Sequence, residues 1–229
     1  RRMDEGYGLS QGGVENCLQR FPVKLLLAVD CGSTAVQTID WLRQNGIDVL
    51  VLDHHQVSSP APAATALVNP QLSTRFTELC SVGLAFKLAH ALVKRGREVG
   101  LSAAQDFDLR PLLDLVALGT IADIVPLAGE NRILVSMGLE RLTTTQRPGL
   151  IALKKVAQSP AQLGTYEIGF QIAPRLNAAG RLENAEQALH LLMARDLAEA
   201  MPLAENLDTH NRERQQIERS ISDEVIGAV

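Results

Sequence analysis

Aromatic side chains make up only 3% of this 229-residue sequence, which argues against a dense base-stacking platform of the kind built from interleaved aromatics. Cysteine is equally sparse. Cys17, Cys31 and Cys80 form no Cys-x-x-Cys pair, so neither a disulfide framework nor a zinc ribbon is expected. A reducing cytoplasm is the expected location. No apolar run approaches the roughly 18 residues of a membrane span, and the opening Arg1-Arg2-Met3-Asp4-Glu5-Gly6 lacks a signal-peptide pattern. No membrane partner is expected. An initiator methionine is missing too, and the opening reads as the middle of a domain. The formal net charge of −4 excludes a coat of basic charge, although a local basic groove for nucleic acid remains compatible with it. Internal repeats and low-complexity tracts are absent. What is present is 46% hydrophobic and 21% charged residues, enough for a globular protein with a substantial core.

The first unit reads as strand, helix, strand. Lys24 to Val29 is a continuous apolar run closing on Asp30, as expected for a central parallel strand covered on both faces. Ser33 or Thr34 is placed to cap a helix carrying Val36, Ile39, Leu42 and Arg43, which Gly46 stops. Ile47 to Asp53 is the second strand. A right-handed βαβ unit brings both carboxyl-terminal strand ends to one sheet edge, about 4.8 Å apart, where open α/β sheets bind ligands. Thr65 to Asn69 reads as a third short strand, and the rest is mostly helical. Ser81 opens a core helix, and Asp108 with Pro111 opens another, Leu112 to Ala122, that is apolar nearly all round. A further helix is read in Glu183 to Ala194. From Asp208 to Arg219 the sequence is polar on almost every face, as in a helix bridging domains through solvent; Pro202 is expected to split or kink the helical stretch before it.

Two places concentrate chemistry. Leu52-Asp53-His54-His55 ends a strand in an acid and two imidazoles, and Asp123 continues the apolar face Leu112, Val116, Gly119. A carboxylate on such a face must be paired, hydrogen-bonded or bound to metal. Each group alone has a plain structural explanation, but Asp30, the Asp53-His54-His55 trio and Asp123 reach one sheet edge from three segments. Carboxylate-rich, imidazole-poor, thiolate-free sets suit Mn²⁺ or Mg²⁺, often as a pair that clamps a phosphodiester.

These residues resemble a known family. Leu52-Asp53-His54-His55 looks like the signature of the DHH phosphoesterases, and Gly119 to Leu127 resembles their later acidic motif. Asp4 to Leu9 and Ile168 to Leu182 are similar to the RecJ-type single-strand-specific 5′-to-3′ DNA exonucleases, with the likeness running over essentially the whole chain. The resemblance implies an α/β fold with a parallel Rossmann-like sheet, a mostly helical portion and a long terminal connecting helix. It assigns residues 1–200 to a DHH core and 201–229 to a helix leading towards a further domain. Two divalent cations, Mn²⁺ or Mg²⁺, are implied, with Asp30, His54 and Asp123 as ligands. His55 would face the substrate, and Asp53 would orient the neighbouring imidazoles. Arg175, Asn177 and Arg181, around the small-residue turn Ala178-Ala179-Gly180, would grip the strand's phosphates.

Single-stranded DNA is then the expected partner, with a helicase and a single-strand-binding protein as candidate protein partners in repair and recombination. The family also carries an earlier acidic motif and a companion carboxy-terminal domain with a glycine-rich, histidine-containing motif, neither of which is in this sequence. The chain by itself is therefore expected to bind metal weakly and to have little nuclease activity. Two other readings are a DHH enzyme for short oligonucleotides, cyclic dinucleotides or pyrophosphate, and a non-catalytic DHH-like scaffold.

Overall fold

The computed structural model describes residues 8–182 and 185–227, the side chains at 179–182, 225 and 227 excepted. Of the Asp4 to Leu9 stretch, residues 4–7 lie outside the described residues. Backbone packing divides the chain into two compact units, Arg1–Gly138 and Leu139–Val229.

The first unit is built on three parallel strands in the order β1 (Leu25–Val29), β2 (Asp48–Leu52), β3 (Ala66–Val68). Helices α1 (Gln11–Arg20) and α2 (Val36–Gln44) cover one face. There Val14, Ile39 and Leu42 pack with Ala28, Val49 and Val51, the inward positions of the period-two alternation. On the other face Leu52 meets Leu79 and Leu84, the latter on α3 (Ser81–Glu98). The α/β class and the parallel sheet match expectation. β1 does not lie centrally: among the described residues it is an edge strand, and Leu25, Leu27 and Val29 are 55%, 47% and 42% exposed. A continuous apolar run signals a strand but not its place in the sheet. Nor does Ser33 or Thr34 cap α2. The cap is Ala35, without a side-chain bond, because Ser33 is used elsewhere, as described below.

Helix α4 (Leu113–Ala122) follows a single 3-10 turn, Arg110–Leu112, and buries Leu113, Val116, Ala117, Leu118, Thr120 and Ile121. It lies close to α3, for a β-carbon at Gly119 would sit 2.8 Å from Val82. Helix α5 (Gly129–Thr143) follows it.

The second unit is helical: α6 (Pro148–Val156), α7 (Ala173–Leu182), α8 (Glu186–Met193) and α9 (Leu197–Gly227). Three sequence expectations change here. The predicted turn at Ala178-Ala179-Gly180 is part of α7; a π-helical segment, Ile168–Ile172, precedes it and widens the chain just before Pro174, which has no amide proton to give a regular turn. Pro202 does not split α9, which is a single helix through it. The stretch from Asp208 is not solvated all round, because Leu207, Asp208 and Asn211 are buried. Among the described residues, no helix is long and apolar enough to cross a membrane.

Candidate metal centre

The centre is assembled at the carboxyl ends of β1 and β2. The Asp30 amide donates to Leu52 O at 2.9 Å, which extends the parallel ladder by one bond. The chain then turns sharply, with φ of +65° at Asp30 and +111° at Gly32. Aspartate tolerates the left-handed region better than most residues. Gly32 is required by space as well as by conformation, since a β-carbon there would lie 3.1 Å from the Val51 side chain. The turn delivers the Ser33 amide to Asp53 Oδ2 at 3.0 Å.

Asp53 is the buried hub of the site, at 1% exposure. Its Oδ1 accepts from the amides of His54 (2.8 Å) and His55 (3.2 Å), and lies 2.7 Å from His55 Nδ1. Burial pushes the Asp53 carboxyl upward, but the bonds from Ser33 and His55 outweigh it and hold the pKa at about 2, below the usual 3.8. His55 responds in the opposite sense. Its bond to Asp53 raises its pKa above 6.5 against the pull of burial, and the charges of Asp53, Asp30 and Asp123 add to the rise. With Nδ1 committed to Asp53 and the side chain half exposed, its Nε2 is the nitrogen left to meet an external group.

His54 Nε2 lies 3.4 Å from Asp30 Oδ1 and 3.3 Å from Asp123 Oδ2. It is buried and, among the described residues, has no hydrogen-bond partner. Asp123 is the C-cap of α4, where the partial negative charge of the helix end repels a carboxylate. Burial raises its pKa and Asp30 raises it further, against the attraction of His54 and His55. Among the described residues, no lysine or arginine forms an ion pair with Asp30 or Asp123. Ligand atoms of Asp30, His54 and His55 also lie within 4.8 Å of one another. An orphaned imidazole nitrogen between two hard carboxylate oxygens fits a divalent cation of the Mn²⁺ or Mg²⁺ type.

Sequence reasoning overlooked the residues that hold this arrangement. Buried Asn69 donates to Ser33 Oγ and His55 O, both at 2.8 Å, and so ties the loop after β1 to the loop after β2. Buried Asn131, in the first turn of α5, donates to Glu78 O and Pro126 O and anchors the chain just beyond Asp123. A polar residue ending a strand before Pro70 was the one available hint for Asn69; nothing in the sequence marks Asn131.

The remaining expected contacts belong to the second unit. Arg175 is engaged internally: its Nε and Nη2 reach Asp208 Oδ1 at 2.9 and 2.8 Å, and Nη1 reaches Gln171 O. Asp208 also pairs with Arg212 at 2.6 Å. Asn177 is exposed on α7, and the Arg181 side chain lies outside the described residues. Lys154 donates to the Leu142 and Thr143 carbonyls.

Comparison with known proteins bears on this geometry. Residues 4–120 match the DHH family, N-terminal domain. The chain is 42% identical over 232 residues to the single-stranded-DNA-specific exonuclease RecJ of Bacillus subtilis (strain 168), covering 100% of this chain and 28% of that protein. Among solved structures, exonuclease RecJ bound to manganese is similar with a TM-score of 0.86 at 36% identity, over 100% of this chain and 56% of that one. RecJ from Thermus thermophilus in complex with Mn²⁺ gives a TM-score of 0.83 at 36% identity, over 95% of this chain and 32% of that one. The chain spans less than half the length of the curated RecJ relatives it matches.

Proposed function

The chain belongs to the DHH family, and from that premise we propose that it is the metal-binding core of a RecJ-type 5′-to-3′ exonuclease that hydrolyses single-stranded DNA in repair and recombination. The observation that carries this reading is His54 Nε2, buried, without a hydrogen bond and between Asp30 and Asp123. Asp30, His54 and Asp123 would hold the cations. When bound, Mn²⁺ or Mg²⁺ would neutralise phosphate charge and lower the pKa of water, so that hydroxide is available for phosphodiester hydrolysis. Asp53 fixes the orientation of His55, and His55, its pKa raised, offers an Nε2 proton to the negative charge that grows on the phosphate. In the second unit, Asn177 and Arg181 are proposed strand contacts, and Arg175, its guanidinium occupied by Asp208, is proposed to position α7 against α9.

That the matched relatives are named as single-strand exonucleases supports DNA over short oligonucleotides. The retained Asp30, His54, His55 and Asp123 argue against a non-catalytic scaffold. We place the reaction in the cytoplasm, where the free cysteines stay reduced, and propose a helicase and a single-strand-binding protein as suppliers of unpaired strand. The test uses the whole protein with Mn²⁺. It should shorten a 3′-labelled single strand from its 5′ end in preference to dinucleotides, and Asp30→Ala should abolish this. Faster turnover of dinucleotides, or cleavage unchanged by Asp30→Ala, would defeat the proposal.

A further inference from the structure

Ile124, the residue after Asp123, is 89% exposed, more than any other large hydrophobic side chain among the described residues. It also holds a φ of +60°, a conformation that a β-branched residue rarely adopts. The turn itself has a clear cause: α4 ends at Asp123, and the Ile124 amide closes on Ile121 O at 3.2 Å. Glycine would make the same turn without strain. An isoleucine here strains the backbone and exposes an apolar side chain one residue from a candidate cation ligand. Strain kept beside a reacting centre points to use of the strained residue.

We propose that Ile124 is a substrate contact, an apolar surface for the nucleobase next to the phosphodiester held at Asp30, His54 and Asp123. The inference rests on the exonuclease reading. Base faces are apolar, and aliphatic side chains, isoleucine among them, pack against them where a strand is unstacked. Such a contact ignores base identity, as suits an enzyme that removes every nucleotide in turn.

The whole protein and its Ile124→Gly variant are compared on single strands whose 5′-terminal nucleotide is intact or abasic, alongside thermal unfolding. Glycine at a positive φ keeps the fold. The variant should unfold at the same or a higher temperature, and its KM for the intact strand should rise about tenfold with kcat within about twofold. Its KM for the abasic strand should equal that of the wild type. An unchanged KM on the intact strand, an equal rise on both strands, or a lower unfolding temperature with unchanged kinetics would each overturn the proposal. Failure of the wild type to shorten either strand would instead remove the exonuclease reading beneath it.

Discussion

Replacing Asp53 by asparagine leaves the shape of the site and removes its buried charge. In the wild type Oδ1 faces three donors and Oδ2 accepts the Ser33 amide. An asparagine can turn its carbonyl to only one side. Its NH₂ group then confronts another N–H, an unmet donor that costs about 1–3 kcal/mol. The depression of the Asp53 pKa from 3.8 to about 2 corresponds to about 2 kcal/mol of further stabilisation that the variant lacks. Asp53→Asn should therefore lower the unfolding free energy by about 3–5 kcal/mol near neutral pH. Trp41, the single tryptophan, packs against the core of the same unit, so its fluorescence in a urea titration reports the relevant unfolding. The pH dependence isolates the charge. Because the folded pKa lies below the unfolded one, the contribution is complete above the unfolded value of 3.8 and fades as pH falls towards about 2. The gap between wild type and variant should narrow by about 2 kcal/mol as pH drops from about 5 to about 2. A gap that stays constant over that range would refute the argument, for it would mean that the carboxylate's charge contributes nothing to holding the loops.

Further outcomes follow from the same geometry. The His55 imidazole should titrate above 6.5 in an NMR pH series and fall back in Asp53→Asn, where burial is no longer outweighed; one midpoint shared by both proteins would refute the coupling. As the folded value is raised, protonated His55 supports the fold fully below pH 6.5, and this support fades as pH rises through the folded midpoint. Mn²⁺ titrated into the 229-residue chain and followed by electron paramagnetic resonance should bind weakly, and not measurably after Asp123→Asn; tight binding of two ions with rapid strand degradation would contradict this. A methyl group on Gly149 of α6 would overlap the Leu191 carbonyl of α8, so Gly149→Ala should destabilise the second unit by about 1–3 kcal/mol or more, with an unchanged thermal midpoint as the refuting result.

The parts of the fold that were legible from sequence share one physical origin. Burial demands apolar residues, so β1 and β2 announce themselves as the unbroken apolar runs Leu25 to Val29 and Val49 to Leu52, and α2 through the helical spacing of Val36, Ile39 and Leu42. Asp123 was conspicuous for the same reason, as an acid continuing an apolar helix face. Long-range polar bonds have no period. Asn69 to Ser33 spans 36 residues and Asn131 to Glu78 spans 53, and no local pattern reveals either. Where local propensity was used alone it misled. Ala178-Ala179-Gly180 read as a turn, yet the π-helical segment before Pro174 lets the helix continue. Ser33 looked like a cap, but its amide donates to a carboxylate 20 residues away and its hydroxyl accepts from Asn69.

Asp53 and Asp123 suit opposite roles because of what the protein already gives them. Asp53 is the more deeply buried and the more acidic, so it carries its charge over the wider range of pH. Its oxygens, however, are engaged by Ser33, His54 and His55; ligating a cation would mean giving up the bonds that fold both loops. Among the described residues, Asp123 has no such donors. Burial and the Asp30 charge work against its ionised form, and the end of α4 adds to the repulsion. A divalent cation would reverse every one of these unfavourable interactions, while the same ion beside Asp53 would compete with favourable ones. A carboxylate satisfied by its own fold positions other groups, and one that the fold leaves unsatisfied is where an external charge gains most. By that reasoning Asp123, Asp30 and the orphaned His54 nitrogen are the proposed cation ligands, and Asp53 is the residue that holds the two loops.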